Sequence, residues 1–533
     1  MPLLLPGILE LSRRARYVSF HAFLLSDYQR ERAKADSKVL SAFIKRAEWD
    51  LGLAVQRCPR CSSGPVGARR LSGHAQGSGP FPRGESVESA LGGYGLYYRS
   101  PMVSVGIVAG AGTLLGGEPI PIDLLYDNTR AHDLADAFRA AVADSAYYRD
   151  RYLWTAEPLP ADVIDEYASV ACLCLLRERP QERDAVHAAL FATDSAEAAA
   201  SSTATDGESD DEPGGALTDA VDEAAPTIPP TGPSLAGTIQ RCRSVAHYLT
   251  MLDSDPDIVT SESAYRDALW APPNARSPEH AVVAGQWSAL AAKDVWQEAL
   301  CSVWSQFCRV GLARTRALDR GLTWQETRDL VTELLDGPPA LPAAVRTGEL
   351  VAAIAAGQTQ LPFDDEVLVV STCAFEELRR ATRRLDTAAS GLVVLLELTR
   401  RMGERSGAGW EAACRVRSAW QPSVATVTDE LELHLGANPT VTETLWWVLS
   451  RFVIPVHERI AYSKLPTREF TFRFRWEDGL LRFYDLGVGR FPLAAIRNQP
   501  LGSLTNDLGF WDDDGGSARL TDRGRAFVTE MLG

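Results

Sequence analysis

Lysine is nearly missing from this chain: only five of its 54 basic residues are lysines, and the rest are arginines. A nuclease site of the carboxylate-and-lysine kind therefore has almost no lysine to draw on. Cysteine is sparse too. Nine in 533 residues is an odd and low number, which excludes a dense disulfide framework and fits reduced thiols in a cytoplasmic protein. No apolar run reaches the roughly eighteen residues that a membrane-spanning helix needs. The nearest stretch, Met102–Leu115, is glycine-rich and too short. The first twenty residues place arginines after a short apolar run broken by Pro2 and Pro6, the wrong order for an export signal. Walker A, HExxH and GxSxG motifs are all missing, so the usual signatures of phosphate-loop, zincin and serine-hydrolase chemistry are not there.

What is present fits a soluble, multi-domain chain. Apolar residues make up 45% and charged residues 23%, ordinary proportions for globular domains. The length suggests about three or four of them. The net charge of −16 argues against a protein that coats nucleic acid over its whole surface. The abundance of alanine and arginine has a simple compositional source in a GC-rich bacterial genome.

The clearest boundary is the stretch 193–236, with ten acidic residues, no basic one and hardly any large apolar side chain. Such a segment cannot bury enough surface to offset its ordering entropy, and we expect a disordered acidic linker. A glycine- and proline-rich stretch, 62–84, reads as a long loop. Elsewhere helical periodicity dominates. Leu40, Phe43, Ala47, Leu51 and Ala54 form one stripe behind Ser37 as N-cap; Val163, Tyr167, Val170 and Cys174 form another. Trp296, Leu300, Val303 and Phe307 make a third, and Thr323 with Glu326 and Thr440 with Glu443 have capping-box spacing. The fold class expected is mostly α and multi-domain. It comprises a helical basic N-terminal domain (1–192), the linker (193–236), a helical central domain (237–439) and a small α+β C-terminal domain (440–533).

In that last segment Phe470, Phe472, Phe474 and Trp476 alternate with polar residues, and Glu477-Asp478-Gly479 supplies a hairpin turn before Leu480–Tyr484. A short helix opened by Pro500 follows, then a turn at Asp512–Gly516 and a final helix beginning LTDRGRAFV. This order, over roughly the last 90 residues, resembles the winged-helix superfamily. The resemblance implies DNA binding through the helix before the wing. The residues themselves object: Pro500–Leu508 holds no Arg or Lys, and the wing tip is Asp512-Asp513-Asp514, which phosphates would repel. We therefore read the tail as a packing or partner-docking module before a DNA reader.

The first hundred residues carry fifteen basic against eight acidic side chains. Arg13, Arg14, Arg16, Arg30, Arg32, Lys34, Lys38, Lys45 and Arg46 lie among Tyr17, Phe20, Phe23 and Tyr28, a pattern that can follow a nucleic-acid backbone. Solvated helix faces over an aromatic core account for it as well. Arg473, Arg475 and Arg482 on the hairpin pose the same choice, and so does the arginine patch 379–384. Cys58-Pro59-Arg60-Cys61 supplies half of a tetrahedral zinc site. His74, thirteen residues on, is the candidate third ligand, and a fourth would have to come from Cys172 or Cys174. A redox pair is the other alternative, but it would want a neighbouring βαβ pattern that the sequence does not show; the plainer reading is two loop cysteines and no cofactor. Asp123, Asp127 and Asp133, with His132, are the first place to look for a metal-dependent hydrolase or nuclease.

Two expectations follow. The first is a non-enzymatic adaptor of a bacterial multi-protein assembly, of the DNA-processing or antiviral-defence type, with protein partners and with DNA or RNA reached through the basic N-terminal domain. The alternative is the hydrolase around Asp123–Asp133. Neither involves a membrane.

Overall fold

The helix starts are where polar side chains can accept the orphan amides of a first turn. Thr323 and Thr440 form the expected capping boxes with Glu326 and Glu443, opening the helices Trp324–Leu334 and Val441–Val448. The helix Ser37–Arg57 is capped one residue earlier than expected. Asp36 accepts from the amides of Lys38 and Val39 at 2.7 and 3.3 Å, because a carboxylate suits the positive helix start better than the neighbouring serine.

The computed structural model describes residues 3–9, 12–31, 35–61, 64–193, 234–417, 421–466, 468, 470–487 and 496–533. The fold is mostly α, with small two-stranded antiparallel sheets. Most of the expected acidic linker lies outside the described residues, as do Arg32 and Lys34. Its expected end at 236 is too late. Ser234 already caps the helix Leu235–Ser254, its hydroxyl accepting from Gly237 at 3.0 Å.

The chain divides into two compact units, and not at the expected borders of 1–192, 237–439 and 440–533. One unit gathers residues 3–193, 234–260 and 496–533; the other holds 261–487. The expected C-terminal domain is thus split. The hairpin Phe474–Glu477 and Leu480–Phe483, in register Phe474 to Phe483, belongs to the second unit. There Phe474 packs edge-on against Phe307, 5.3 Å between ring centres, on the 41-residue helix Pro278–Leu318. Burying that Phe row needs an apolar helix, and the stripe on Pro278–Leu318 supplies it.

The remaining tail, helix Asn498–Asp507, hairpin Trp511–Asp514 with Ser517–Leu520, and helix Asp522–Leu532, belongs to the first unit. Its element order matches the expected one. The aromatic face of that tail stacks on the helix Pro180–Phe191: Phe527 and Phe510 lie 4.8 Å apart, with Phe191 5.4 Å from Phe527. In the first unit the helices Arg16–Arg30, Ser37–Arg57, Thr129–Val142, Ala161–Ala171 and Pro180–Phe191 bury the N-terminal aromatics Tyr17, Phe20, Phe23 and Tyr28. These rings are core, so none of them is available to stack a base.

Candidate metal centre

Cys58 is the residue that ends the helix Ser37–Arg57, and its backbone has already turned to an extended conformation. The next three residues fold back: the Cys61 amide donates to the Cys58 carbonyl at 3.4 Å, with Pro59 at the second turn position, where its fixed φ is favoured. Cys172 likewise ends the helix Ala161–Ala171 and begins the single 3-10 turn Leu173–Glu178, on which Cys174 sits. The two helices pack together, and Arg57 at the end of one forms an ion pair with Asp165 of the other at 2.5 Å. Two helix C-termini and their thiols therefore arrive at the same place.

There the sulfurs of Cys58 and Cys174 are 3.8 Å apart, and those of Cys174 and Cys172 3.5 Å apart. Ligand atoms of all three lie within 4.8 Å of one another, a cluster that could hold a metal ion. Cys61 interacts with Cys172 but is not one of the three sulfurs within that distance. All nine cysteines are free, and these separations are far from the roughly 2.05 Å of a disulfide. Burial pushes the Cys174 thiol up to about 11, and contact with Cys61 followed by burial raises Cys172 as well. Sulfur atoms at the corners of a tetrahedron around zinc, with Zn–S near 2.3 Å, would be about 3.8 Å apart. The Cys58–Cys174 separation of 3.8 Å matches that figure, and Cys172–Cys174 at 3.5 Å is slightly shorter.

Arginines frame the cluster. The Arg16 guanidinium, fully buried, donates to the Cys172 and Val170 carbonyls at 2.5 and 2.9 Å while pairing with Glu182 at 2.9 Å. Arg14 donates to the Leu173 carbonyl at 3.2 Å and pairs with Asp507 at 2.9 Å. That single guanidinium bridges the Cys172–Cys174 turn and the helix Asn498–Asp507.

The other expected sites fall out differently. His74 stands apart from the thiols, its ring edge-on to Trp49 at 5.1 Å. It is exposed and is not among the residues that could hold a metal with Cys58, whereas Cys172 and Cys174 are. Among the expected nucleic-acid contacts, Arg14 and Arg16 are consumed as just described. Lys45 pairs with Glu85 at 3.1 Å, and Arg30 lies 3.9 Å from Asp27. Arg46 is half-buried and reaches the Leu153 carbonyl at 3.5 Å. Arg475 and Arg482 share Glu477, and Arg473 donates to the Gly487 carbonyl. Arg13 and Lys38 stay exposed.

Asp123 is buried, and its two oxygens accept four donors: Tyr94 Oη, Arg99 Nε and Nη2, and the Ala111 amide, at 2.7–2.9 Å. No lone pair remains for a metal. Asp127 and His132 meet at the surface at 3.0 Å, away from any acidic trio; Asp133 is likewise exposed. His457 is buried against Trp304 and Phe474 and pushed down to about 4 by burial, so it is neutral core.

The signal that sequence reading underused was Cys172-Leu173-Cys174 itself. A search for a second CxxC passes over a CxC pair more than a hundred residues away. No family model, curated protein or solved structure matches this chain.

Proposed function

We propose that this chain is a zinc-stapled, non-enzymatic adaptor subunit of a cytoplasmic protein assembly, with Cys58, Cys61, Cys172 and Cys174 as the four ligands. One observation carries the reading: the Cys58 thiol of a CxxC turn converges with both thiols of a CxC turn, with separations of 3.8 and 3.5 Å, and Cys61 beside Cys172 is the fourth ligand we assign. A set of four sulfurs favours zinc, or iron held in the same geometry, over harder cations. It also closes the coordination sphere and leaves no open position for a water or substrate, which is the mark of a structural site. Metal binding at such sites is worth on the order of 10 kcal/mol of folding free energy, enough to fix the two helix ends.

The adaptor part rests on the engagement of Asp123, the buried member of the expected acidic set, in structural contacts. It also rests on apolar side chains left outside: the short hairpin Leu114–Leu115 and Glu118–Pro119 presents both leucines to solvent. Protein partners fit this surface better than DNA or RNA, since the ion pairs above leave few described N-terminal cations uncommitted. Among the described residues no helix is long and apolar enough to cross a membrane, and nine free thiols fit a reducing compartment. Elemental analysis of the purified chain tests the proposal. About one zinc per chain is expected; a metal-free chain would overturn the site, and iron in its place would overturn the choice of zinc.

A further inference from the structure

The thiol cluster is lopsided. Cys172 is buried, whereas Cys61 and Cys174 line a cleft of about 570 Å³ whose walls include Arg13, Arg60 and Arg177. A space of that size admits a small molecule to the sulfurs. Bound to zinc, these sulfurs are held as thiolates, the form that oxidants attack. Finally, Cys174 has two other sulfurs at 3.5 and 3.8 Å, one short side-chain movement from disulfide distance.

We propose that the metal centre is an oxidant-sensitive modification site, at which a hydroperoxide entering the cleft oxidises Cys174 and thereby releases the metal; this rests on the zinc reading above. The Cys174 thiolate attacks the distal peroxide oxygen. A sulfur–oxygen bond forms, the O–O bond breaks, and the leaving oxygen takes a proton to become water or an alcohol. The thiolate of Cys58 or Cys172 then attacks the Cys174 sulfur. An S–S bond forms, the sulfur–oxygen bond breaks, and hydroxide leaves, taking a second proton. In sum two thiolates lose two electrons, one peroxide is reduced and two protons are consumed. Zinc, left with two sulfur ligands, dissociates. Because Arg14 holds both the Leu173 carbonyl and Asp507, the loosened turn reaches the helix Asn498–Asp507 directly.

The test treats the purified zinc-loaded chain with hydrogen peroxide while a chromogenic chelator reports free zinc, followed by peptide mapping. Expected are release of the bound zinc, a disulfide from Cys174 to Cys58 or Cys172, and recovery on adding a dithiol reductant and zinc. Ser503→Trp, at the wall of the cleft and not among the proposed ligands, should keep its zinc yet release it several-fold more slowly as the path of the peroxide to Cys174 narrows. Zinc retained through excess peroxide, release without a Cys174 disulfide, or an unchanged rate in S503W would each overturn the inference. A chain isolated without zinc would sink the zinc reading as well, so the two failures are distinguishable.

Discussion

Replacing Arg16 by methionine separates a structural arginine from a nucleic-acid-binding one. Arg16 is wholly buried and Glu182 is 2% exposed. The pair is bidentate, with Nε to Oε1 at 2.9 Å and Nη2 to Oε2 at 2.9 Å, and Ser19 adds a hydroxyl to Oε1 at 2.7 Å. Methionine fills much of the volume but leaves Glu182 as a buried carboxylate with Ser19 as its remaining partner, and strips a donor from the Cys172 and Val170 carbonyls. Removing one member of such a pair costs about 3–5 kcal/mol. For a unit of this size that corresponds to a drop in Tm of about 6–20 °C. Urea and thermal unfolding followed by circular dichroism measure it. The double variant R16M/E182L, which replaces both charges with apolar groups, should recover most of the loss, since well-packed apolar substitutes for buried pairs are often neutral. An R16M protein within 1 kcal/mol of the parent (about the low edge of a typical point mutation) would refute the reasoning and return Arg16 to the surface role its sequence neighbours suggested.

Stability should also change with pH through two opposed contributions, which offset each other between pH 4.5 and 6.5 and leave an acid and an alkaline limb on either side. Burial lowers His21 from its ordinary 6.5 to about 3 and raises Glu48 from 4.5 to about 8, so the two groups, 3.6 Å apart, meet as a neutral pair. The His21 contribution is complete above pH 6.5 and is lost as pH falls towards 3. The Glu48 contribution is complete below pH 4.5 and is lost as pH rises through 8. Urea midpoints across this range should show His21→Phe flattening the acid limb and Glu48→Gln the alkaline one; unchanged limbs would contradict the assignment. At Gly524, a Cβ would stand 2.1 Å from the Phe510 carbonyl oxygen. Gly524→Ala should therefore lose about 1–3 kcal/mol to overpacking where an open helix would gain about 1, and a raised Tm would show that the last helix does not dock there.

Local order was legible where it depends on neighbouring residues. The capping boxes at Thr323 and Thr440 and the hairpin at Glu477-Asp478-Gly479 could be read because a side chain three residues away, or a period of two, decides them. The division into units could not, because it depends on contacts such as Arg14 with Asp507, nearly five hundred positions apart, and on which apolar helix happens to receive the Phe472–Phe474 row. Charge patterning misled for a related reason. An arginine in an aromatic, basic stretch looks the same in sequence whether it ends beside solvent, as Arg13 does, or beneath Phe138 and against Glu182, as Arg16 does. The thiol cluster was half legible. Cys58 and Cys61 announced themselves by spacing, whereas Cys172 and Cys174 join Cys58 only when the helices Ser37–Arg57 and Ala161–Ala171 end side by side, a contact that no spacing between neighbours announces.

The most direct measurement is zinc content, chain by chain, across the single variants Cys58→Ser, Cys61→Ser, Cys172→Ser, Cys174→Ser and His74→Ala. Each serine variant should fall well below the parent's one ion per chain, and the alanine variant should match the parent. Full zinc in C172S and C174S, together with loss in H74A, would contradict a four-sulfur staple.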